Sequence, residues 1–178
     1  MNRPLVLTIG HSTRTLVSFI ELLKVNKITA VIDVRTIPRS RHNPQFNKDV
    51  LPDELSRIGI GYLHMEGLGG LRHPVLDSPN NAWRNASFRG FADYMLTKEF
   101  EDQIETLLNL AGKEQIVLMC AEAVPWRCHR SLIADALLVR GLSVEHIFGR
   151  GERRLHTLTP WAEVQGTMIT YPRKDSPA

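Results

Sequence analysis

Short apolar runs alternate with segments of helical periodicity along most of the chain. The runs are compact and rich in β-branched residues, which is typical of strands buried on both faces of a parallel sheet. They lie at residues 5–9, 30–34, 61–65, 115–119 and 143–148. The segments predicted to be helical are 16–23, 49–58, 100–111 and 132–137. We therefore expect an α/β fold, a single three-layer domain with a mostly parallel sheet of about five strands and helices on both faces.

The remaining segments are polar and irregular. Residues 36–47 are rich in Arg, Pro and Asn, and residues 66–86 form a long loop of the kind that is often functional. No linker or change of composition divides the chain, so we expect one domain over residues 1–178. Residues 150–178 form a C-terminal extension for which periodicity predicts no definite structure.

The composition is that of a soluble globular protein and argues against a membrane-spanning one. The 178 residues are 43% hydrophobic and 23% charged, as in ordinary soluble domains, and no stretch has the roughly 20 apolar residues of a membrane span. The N-terminus lacks the pattern of a secretory signal, so we expect a cytoplasmic protein without a membrane partner. The net charge of +3 permits an anionic partner without requiring one.

Reactive side chains follow the predicted strands. In parallel α/β sheets ligands bind at the carboxyl ends of the strands, so these positions indicate a functional site. They are His11 and Ser12 after the first strand, Asp33 and Arg35 at the second, His64 and Glu66 at the third, and Cys120 and Glu122 at the fourth.

The segment from Cys120 to Arg130 connects the clearest buried strand to a helix and contains both cysteines of the chain. The start of a helix favours a thiolate, and adjacent Arg or protonated His strengthens the effect. Cys128 lies at the predicted helix start between basic residues, so electrostatics alone predicts that it is the more acidic thiol. Position alone favours Cys120, because a strand-end nucleophile usually lies there.

The layout resembles the loops of rhodaneses and cysteine-dependent phosphatases, where a strand-end Cys opens an anion-binding loop closed by an Arg. Here the Cys–Arg separation is longer than in the phosphatase loop, and its usual glycine is absent. A closer resemblance extends over most of the chain, to the bacterial and archaeal family called domain of unknown function 488. The motifs that carry it are Gly10-His11-Ser12, Asp33-Val34-Arg35, Pro38 with Ser40, Phe46, Leu68-Gly69-Gly70, and Cys120-x-Glu122-x-x-Pro125-x-x-Cys128-His129-Arg130. The resemblance implies an α/β fold and a site built from these residues, and it names no reaction.

The chemistry of the residues predicts a cysteine-dependent enzyme, a transferase or hydrolase, acting on an anionic small molecule or a nucleotide-like substrate. Cys120 is the expected nucleophile or redox thiol, and Cys128 a second thiol that resolves or modulates it. Glu122 or His11 is expected to move protons. The residues expected to bind or orient the substrate are Ser12, Asp33, Arg35, His129 and Arg130. No cofactor is predicted.

Other interpretations remain open. One is a protein that binds or processes nucleic acid through basic and aromatic residues of two loops. These residues are Arg35, Arg39, Arg41 and Lys48 after the second strand, and Arg72, Trp83, Arg84, Phe88 and Arg89 in or just after the long loop. A non-catalytic regulatory module that binds an anion or a metal is a third possibility, although the spacing of Cys120, Cys128 and His129 is not that of known zinc sites, and no metal ligands are assigned.

Structural roles compete with the functional ones for the same residues. Cys120 could be an ordinary core cysteine. His11 and Ser12 could cap the first helix. Asp33 and Arg35 could form an ion pair that only stabilises the fold. The oligomeric state is not predicted.

Overall fold

The computed structural model describes residues 3–175, so residues 1–2 and 176–178, which belong to the predicted domain and its C-terminal extension, lie outside the described residues. Its centre is a six-stranded sheet. The strands are β1 (Leu5–Gly10), β2 (Ala30–Asp33), β3 (Gly61–His64), β4 (Ile116–Cys120), β5 (Ser143–Gly149) and β6 (Glu152–Leu155). Their spatial order is β3-β2-β4-β1-β5-β6, with every pair parallel except β5 and β6. The predicted parallel sheet is confirmed, with one additional antiparallel strand at its edge.

Within residues 3–175, five α-helices cover the two faces of the sheet. They are α1 (Leu16–Val25), α2 (Leu51–Ser56), α3 (Ala86–Tyr94), α4 (Lys98–Ala111) and α5 (Arg130–Leu138). Buried side chains of α1 and α2 form one core with alternate residues of the strands, and those of α3, α4 and α5 form a second core on the opposite face. Along β4, Ile116, Leu118 and Cys120 belong to the second core, whereas Val117 and Met119 belong to the first. The three-layer arrangement is therefore confirmed, and Cys120 lies on the face that α5 covers.

Several details differ from the sequence prediction. The helix expected at 49–58 is shorter in the structure, where it is α2. It begins at Leu51 beside Pro52 and ends at Ser56, before the positive φ of Gly59. Helix α3 was not predicted. Gly90 lies within this helix and interrupts the usual helical pattern of the sequence. A glycine is needed at this position because a Cβ would lie 2.6 Å from the backbone of His73.

The C-terminal extension adds β6 and a small hairpin of β7 (Glu163–Gln165) and β8 (Met168–Thr170). It is attached to α5 through Asp135, which is fully buried. The Asp135 carboxylate accepts hydrogen bonds from His156 Nε2 at 2.7 Å, Thr159 Oγ1 at 2.6 Å and Tyr171 OH at 2.8 Å. The extension therefore packs on the sheet and closes one end of the second core.

The connections that follow β1 and β4 diverge. β1 leads to α1 on one face, whereas the neighbouring β4 leads to α5 on the other. Such a divergence opens a crevice at the carboxyl ends of the two strands, where ligands bind in this class of fold. Across it, His11 N donates to Cys120 O at 2.9 Å and Ser12 N donates to Ala121 O at 3.0 Å. Among the described residues, no helix is long and apolar enough to cross a membrane.

Candidate functional site

A cleft of about 340 Å³ opens at the carboxyl edge of the sheet, and we call it the thiol cleft. Its lining comes from the segment after β2, from Gly70 and Leu71, from the start of α3, and from residues 120–122 and 127–129. Cys120 and Cys128 both line it, although their side chains are only 3% and 5% exposed. The two sulfurs therefore lie at the bottom of the cleft and belong to the core at the same time.

The two thiols and Arg130 form a compact cluster. Cys120 Sγ lies 2.9 Å from Cys128 Sγ and accepts a hydrogen bond from Arg130 Nη1 at 3.2 Å. Arg130 is 1% exposed, and its Nη2 donates to Ala123 O at 3.1 Å. Burial favours the neutral form of Cys120, but the hydrogen bond from Cys128 and the charge of Arg130 outweigh it, so the pKa of Cys120 lies below its ordinary value.

The electrostatic expectation that Cys128 is the more acidic thiol was wrong. Its hydrogen bond to Cys120 and its burial raise the pKa of Cys128 well above the ordinary value. The sequence placed Cys128 among basic residues, but the Arg130 guanidinium turns toward Cys120, and Arg127 is exposed. Cys128 therefore stays protonated and donates a hydrogen bond to the sulfur of Cys120.

His129 has a fixed tautomer. Its Nε2 lies 3.0 Å from Val34 O and 2.8 Å from Leu68 O, so Nε2 carries the proton and donates to these carbonyls. Burial lowers the pKa of His129 to about 4, so the ring is neutral at pH 7. Its Nδ1 is then an acceptor, 3.6 Å from Cys128 Sγ. Predicted as a substrate-binding residue, His129 does line the cleft, but its nitrogens contact protein groups.

Arg35 and Asp33 form a buried ion pair, as the structural interpretation of these residues proposed. Arg35 Nε and Nη2 donate to the two carboxylate oxygens of Asp33 at 2.9 and 2.7 Å, and Nη2 also donates to Phe46 O at 2.6 Å. Tyr62 OH donates to Asp33 as well. Since Nη1 contacts His11 Nε2, the guanidinium has at most one free N–H for a ligand.

His11 connects this ion pair to β1. Its Nδ1 donates to Ser12 O at 2.9 Å, its Nε2 accepts from Arg35, and its ring stacks on Phe46 with the centroids 4.4 Å apart. Burial lowers the pKa of His11 to about 4, so it is a neutral ring at pH 7. The helix-capping interpretation was wrong, because Thr15 caps α1.

A second cleft of about 320 Å³ adjoins the thiol cleft, and we call it the His11 cleft. His11, Ser12 and Arg39 line it, and Glu122 lines both clefts with an exposed side chain. Ser12 adopts a φ of 47°, a left-handed conformation that costs about 1 kcal/mol or more for a residue with a side chain. Strain of this kind often occurs at functional sites, but Lys27 and Asp77, which line neither of the two clefts, also have a positive φ, so the conformation of Ser12 does not by itself mark the site.

Sequence reasoning missed the contribution of α3 to the thiol cleft. Asn85, Ser87 and Phe88 line it, and Asn85 caps the helix by accepting from the amides of Ser87 and Phe88. Asn85 was the available signal for the start of this helix, because Asn is a preferred N-cap residue.

Two residues assigned to the nucleic-acid interpretation have partners within the chain. Arg72 lies over the Tyr94 ring, 3.5 Å from its centroid, and donates to two loop carbonyls. Trp83 packs against Trp161 and Tyr171 of the extension. Within residues 3–175, no group of three or more His, Cys, Asp or Glu side chains is placed to hold a metal ion.

No curated protein and no solved structure matches this chain significantly. Residues 15–137 match the family described as "Domain of unknown function DUF488". The matched part contains both cysteines, the Asp33–Arg35 pair and the turn into α5. Because it covers well over half of the residues, the chain belongs to the DUF488 family.

Proposed function

We propose that this protein is a thiol-dependent transferase or hydrolase that acts on an anionic, nucleotide-like substrate in the thiol cleft. One observation carries the proposal: a buried strand-end thiol, Cys120, receives hydrogen bonds from both Arg130 and a second thiol at the bottom of an open cleft. A core cysteine with no function does not need a fully buried guanidinium beside it. Burying that charge is costly unless a negative group compensates it, and a Cys120 thiolate is such a group.

The surroundings of the thiol cleft favour an anion. The N-termini of α3 and α5 both face it, and the amide groups of a helix start carry partial positive charge. Arg127 adds an exposed cation, and among the described residues Glu122 is the one acidic side chain in the lining. The half-buried Phe88 ring offers a surface for the planar part of a nucleotide.

The proposed reaction uses Cys120 as the nucleophile. Its thiolate attacks the electrophilic atom of the bound group, and the bond to the leaving group breaks as the Cys120–substrate bond forms. Cys128 donates its hydrogen bond to the Cys120 sulfur before attack and to the departing sulfur afterwards. Glu122 protonates the leaving group and then deprotonates the acceptor that releases the covalent intermediate. Arg35, Asp33 and His11 hold the adjoining wall in position.

Alkylation against pH tests the proposal. Each single-thiol variant, Cys128→Ser and Cys120→Ser, is treated with iodoacetamide and with iodoacetate, and the modified residue is identified by mass spectrometry. We expect the thiol of Cys128→Ser to titrate below about 8.5, and that of Cys120→Ser to react far more slowly. The ratio of the iodoacetate rate to the iodoacetamide rate should be higher for Cys120 than for a free thiol, because the cleft attracts anions.

The matched control for this experiment is Arg127→Gln, which removes an exposed cation of the cleft that does not contact Cys120. It should reduce the iodoacetate preference and leave the Cys120 titration in place, whereas Arg130→Gln should move that titration to higher pH. A Cys120 thiol that titrates at or above the ordinary value and reacts slowly would refute the proposal.

Nucleic-acid processing is the second candidate function. Arg39, Arg41 and Lys48 are exposed on the loop after β2, and Arg39 lines the His11 cleft. Three cations on one loop at this sheet edge could contact a phosphate backbone. Gel retardation of single- and double-stranded oligonucleotides at low salt tests this. Retardation that Arg39→Gln weakens would support it, and no retardation would exclude it.

A further inference from the structure

A third cleft, of about 340 Å³, lies between the loop that follows β4 and the C-terminal extension. The chain has three tryptophans, and all of them, Trp83, Trp126 and Trp161, line this cleft. We call it the tryptophan cleft. It is distinct from the thiol cleft but shares a wall with it, because Trp126 faces one and the adjacent Arg127 faces the other.

The walls of the tryptophan cleft are aromatic rings with free surface. Trp126 is 60% exposed and Trp161 is 40% exposed, which is unusual for such large apolar side chains. Trp161 packs edge-on against Trp83, with the centroids 5.2 Å apart, and Trp126 lies 6.1 Å from Phe148. Exposed rings gathered around one cavity indicate a ligand that stacks on them.

The polar part of the lining contains the cation Arg154, two histidines and the hydroxyl groups of Ser131, Thr157 and Thr159. Arg154 holds its guanidinium 4.4 Å above the Phe148 ring, and its partner Glu152 is an exposed residue outside the lining. In the part of the chain that the structure describes, no Asp or Glu lines this cleft. The cleft therefore offers the guanidinium of Arg154, which is ion-paired at the surface with Glu152 at 3.0 Å, beside several π surfaces, and this combination suits a planar ring that carries a negative group.

The two histidines in the lining are not available to bind the negative group of a ligand. His146 contacts Thr8 Oγ1 at 2.6 Å and His156 Nδ1 at 3.0 Å, and His156 Nε2 donates to Asp135 at 2.7 Å. All four ring nitrogens therefore have partners within the protein. These hydrogen bonds make the two imidazoles part of the floor of the cleft, and we assign ligand recognition to the aromatic rings and to Arg154.

We propose that the tryptophan cleft is a nucleotide-binding site in which the base stacks on Trp126 and Trp161 and the phosphate pairs with Arg154. Every base has a π face, and stacking on aromatic side chains tolerates any sequence. The size of the cleft lies within the range of small-molecule sites. This site is separate from the reaction proposed at Cys120.

Intrinsic fluorescence tests the proposal directly, since every tryptophan of the chain belongs to this cleft. Adenosine 5′-monophosphate added to the full chain should quench the emission with saturation, and ribose 5-phosphate, which has no base, should not. Trp126→Leu should weaken binding by about 5-fold or more, and the matched variant Trp126→Phe by less, because it retains a ring. Arg154→Gln should weaken binding of the monophosphate and leave that of adenosine unchanged.

The outcomes separate this proposal from the one at Cys120. Cys120→Ser should bind the nucleotide as the wild type does, whatever alkylation shows. Quenching that does not saturate at millimolar concentration, or that Trp126→Leu leaves unchanged with an unaltered melting temperature, would overturn the proposal. A dimer in sedimentation that Trp126→Leu dissociates, with no quenching by nucleotide, would show that a second copy covers the cleft and would also overturn it.

Discussion

Gly10, the last residue of β1, should be intolerant of any side chain. A Cβ built at this position lies 1.8 Å from the backbone carbonyl oxygen of Glu122 and 2.6 Å from its carbonyl carbon. Contacts that short cannot be relieved by a rotamer change, because the neighbour is backbone. In Gly10→Ala, the loop after β4 must therefore move away from β1.

The cost follows from what that movement breaks. Overpacking of a filled interior costs about 1–3 kcal/mol. The two hydrogen bonds across the crevice, from His11 N and Ser12 N, contribute about 0.5–1.5 kcal/mol each. The expected loss of unfolding free energy for Gly10→Ala is thus about 2–6 kcal/mol, a large part of the 5–15 kcal/mol typical of a folded domain.

Urea denaturation of Gly10→Ala and of the matched variant Gly112→Ala measures this loss. Gly112 ends α4 with a φ of −74°, and a Cβ there has its nearest contact at 3.6 Å, so Ala should be neutral or slightly stabilising. The Cys120 alkylation rate should also change in Gly10→Ala, since the displaced loop holds the Arg130 contact. A Gly10→Ala midpoint within experimental error of the wild type would refute the close-approach argument.

Three further predictions concern buried polar groups. The unfolding free energy should fall from pH 7 to pH 5, because burial lowers the pKa of His129 to about 4 while the unfolded chain titrates near 6.5 and binds the proton first. In urea titrations at both pH values, His129→Gln should lose about 2 kcal/mol less over this interval, and an equal loss would contradict the assignment. Asp33→Asn should cost about 3–5 kcal/mol, because it leaves the Arg35 guanidinium buried without a counter-charge; a cost below 1 kcal/mol in the same assay would contradict that reasoning. Tyr171→Phe should cost about 1 kcal/mol by removing one hydrogen bond to Asp135, and a stabilised variant would show that this bond is not needed.

The sheet could be predicted from the sequence because its signal is local. The runs at 5–9, 30–34 and 115–119 are buried on both faces, so each reads as a strand without knowledge of its neighbours. β6 has the opposite character: all four of its residues are exposed, and it exists because β5 offers an edge. Pairing of that kind depends on the tertiary structure, and the apolar pattern of the sequence does not predict such a strand.

The sequence indicates which residues lie close together at the candidate site, but it does not indicate which atoms of those residues contact each other. Strand ends placed Cys120, His11 and Arg35 at one edge of the sheet, and the structure does bring them to adjoining clefts. The relative acidity of the two thiols depends on where one guanidinium points. Arg130 is two residues from Cys128 in the chain, yet its Nη1 donates to Cys120, and spacing along the chain does not carry that direction.

The anchoring of Asp135 has a consequence for fragments of the protein. The part matched to the family ends at residue 137. The side chains that donate hydrogen bonds to the Asp135 carboxylate belong to His156, Thr159 and Tyr171, which lie beyond that end. The matched part also begins after β1, which separates β4 from β5 in the sheet. A fragment cut at the family boundaries would therefore leave β4 with an open edge and a buried carboxylate without partners. The contacts that complete the sheet and satisfy Asp135 therefore extend beyond both ends of the segment by which the family is recognised, and the thiols of Cys120 and Cys128 depend on those flanking residues.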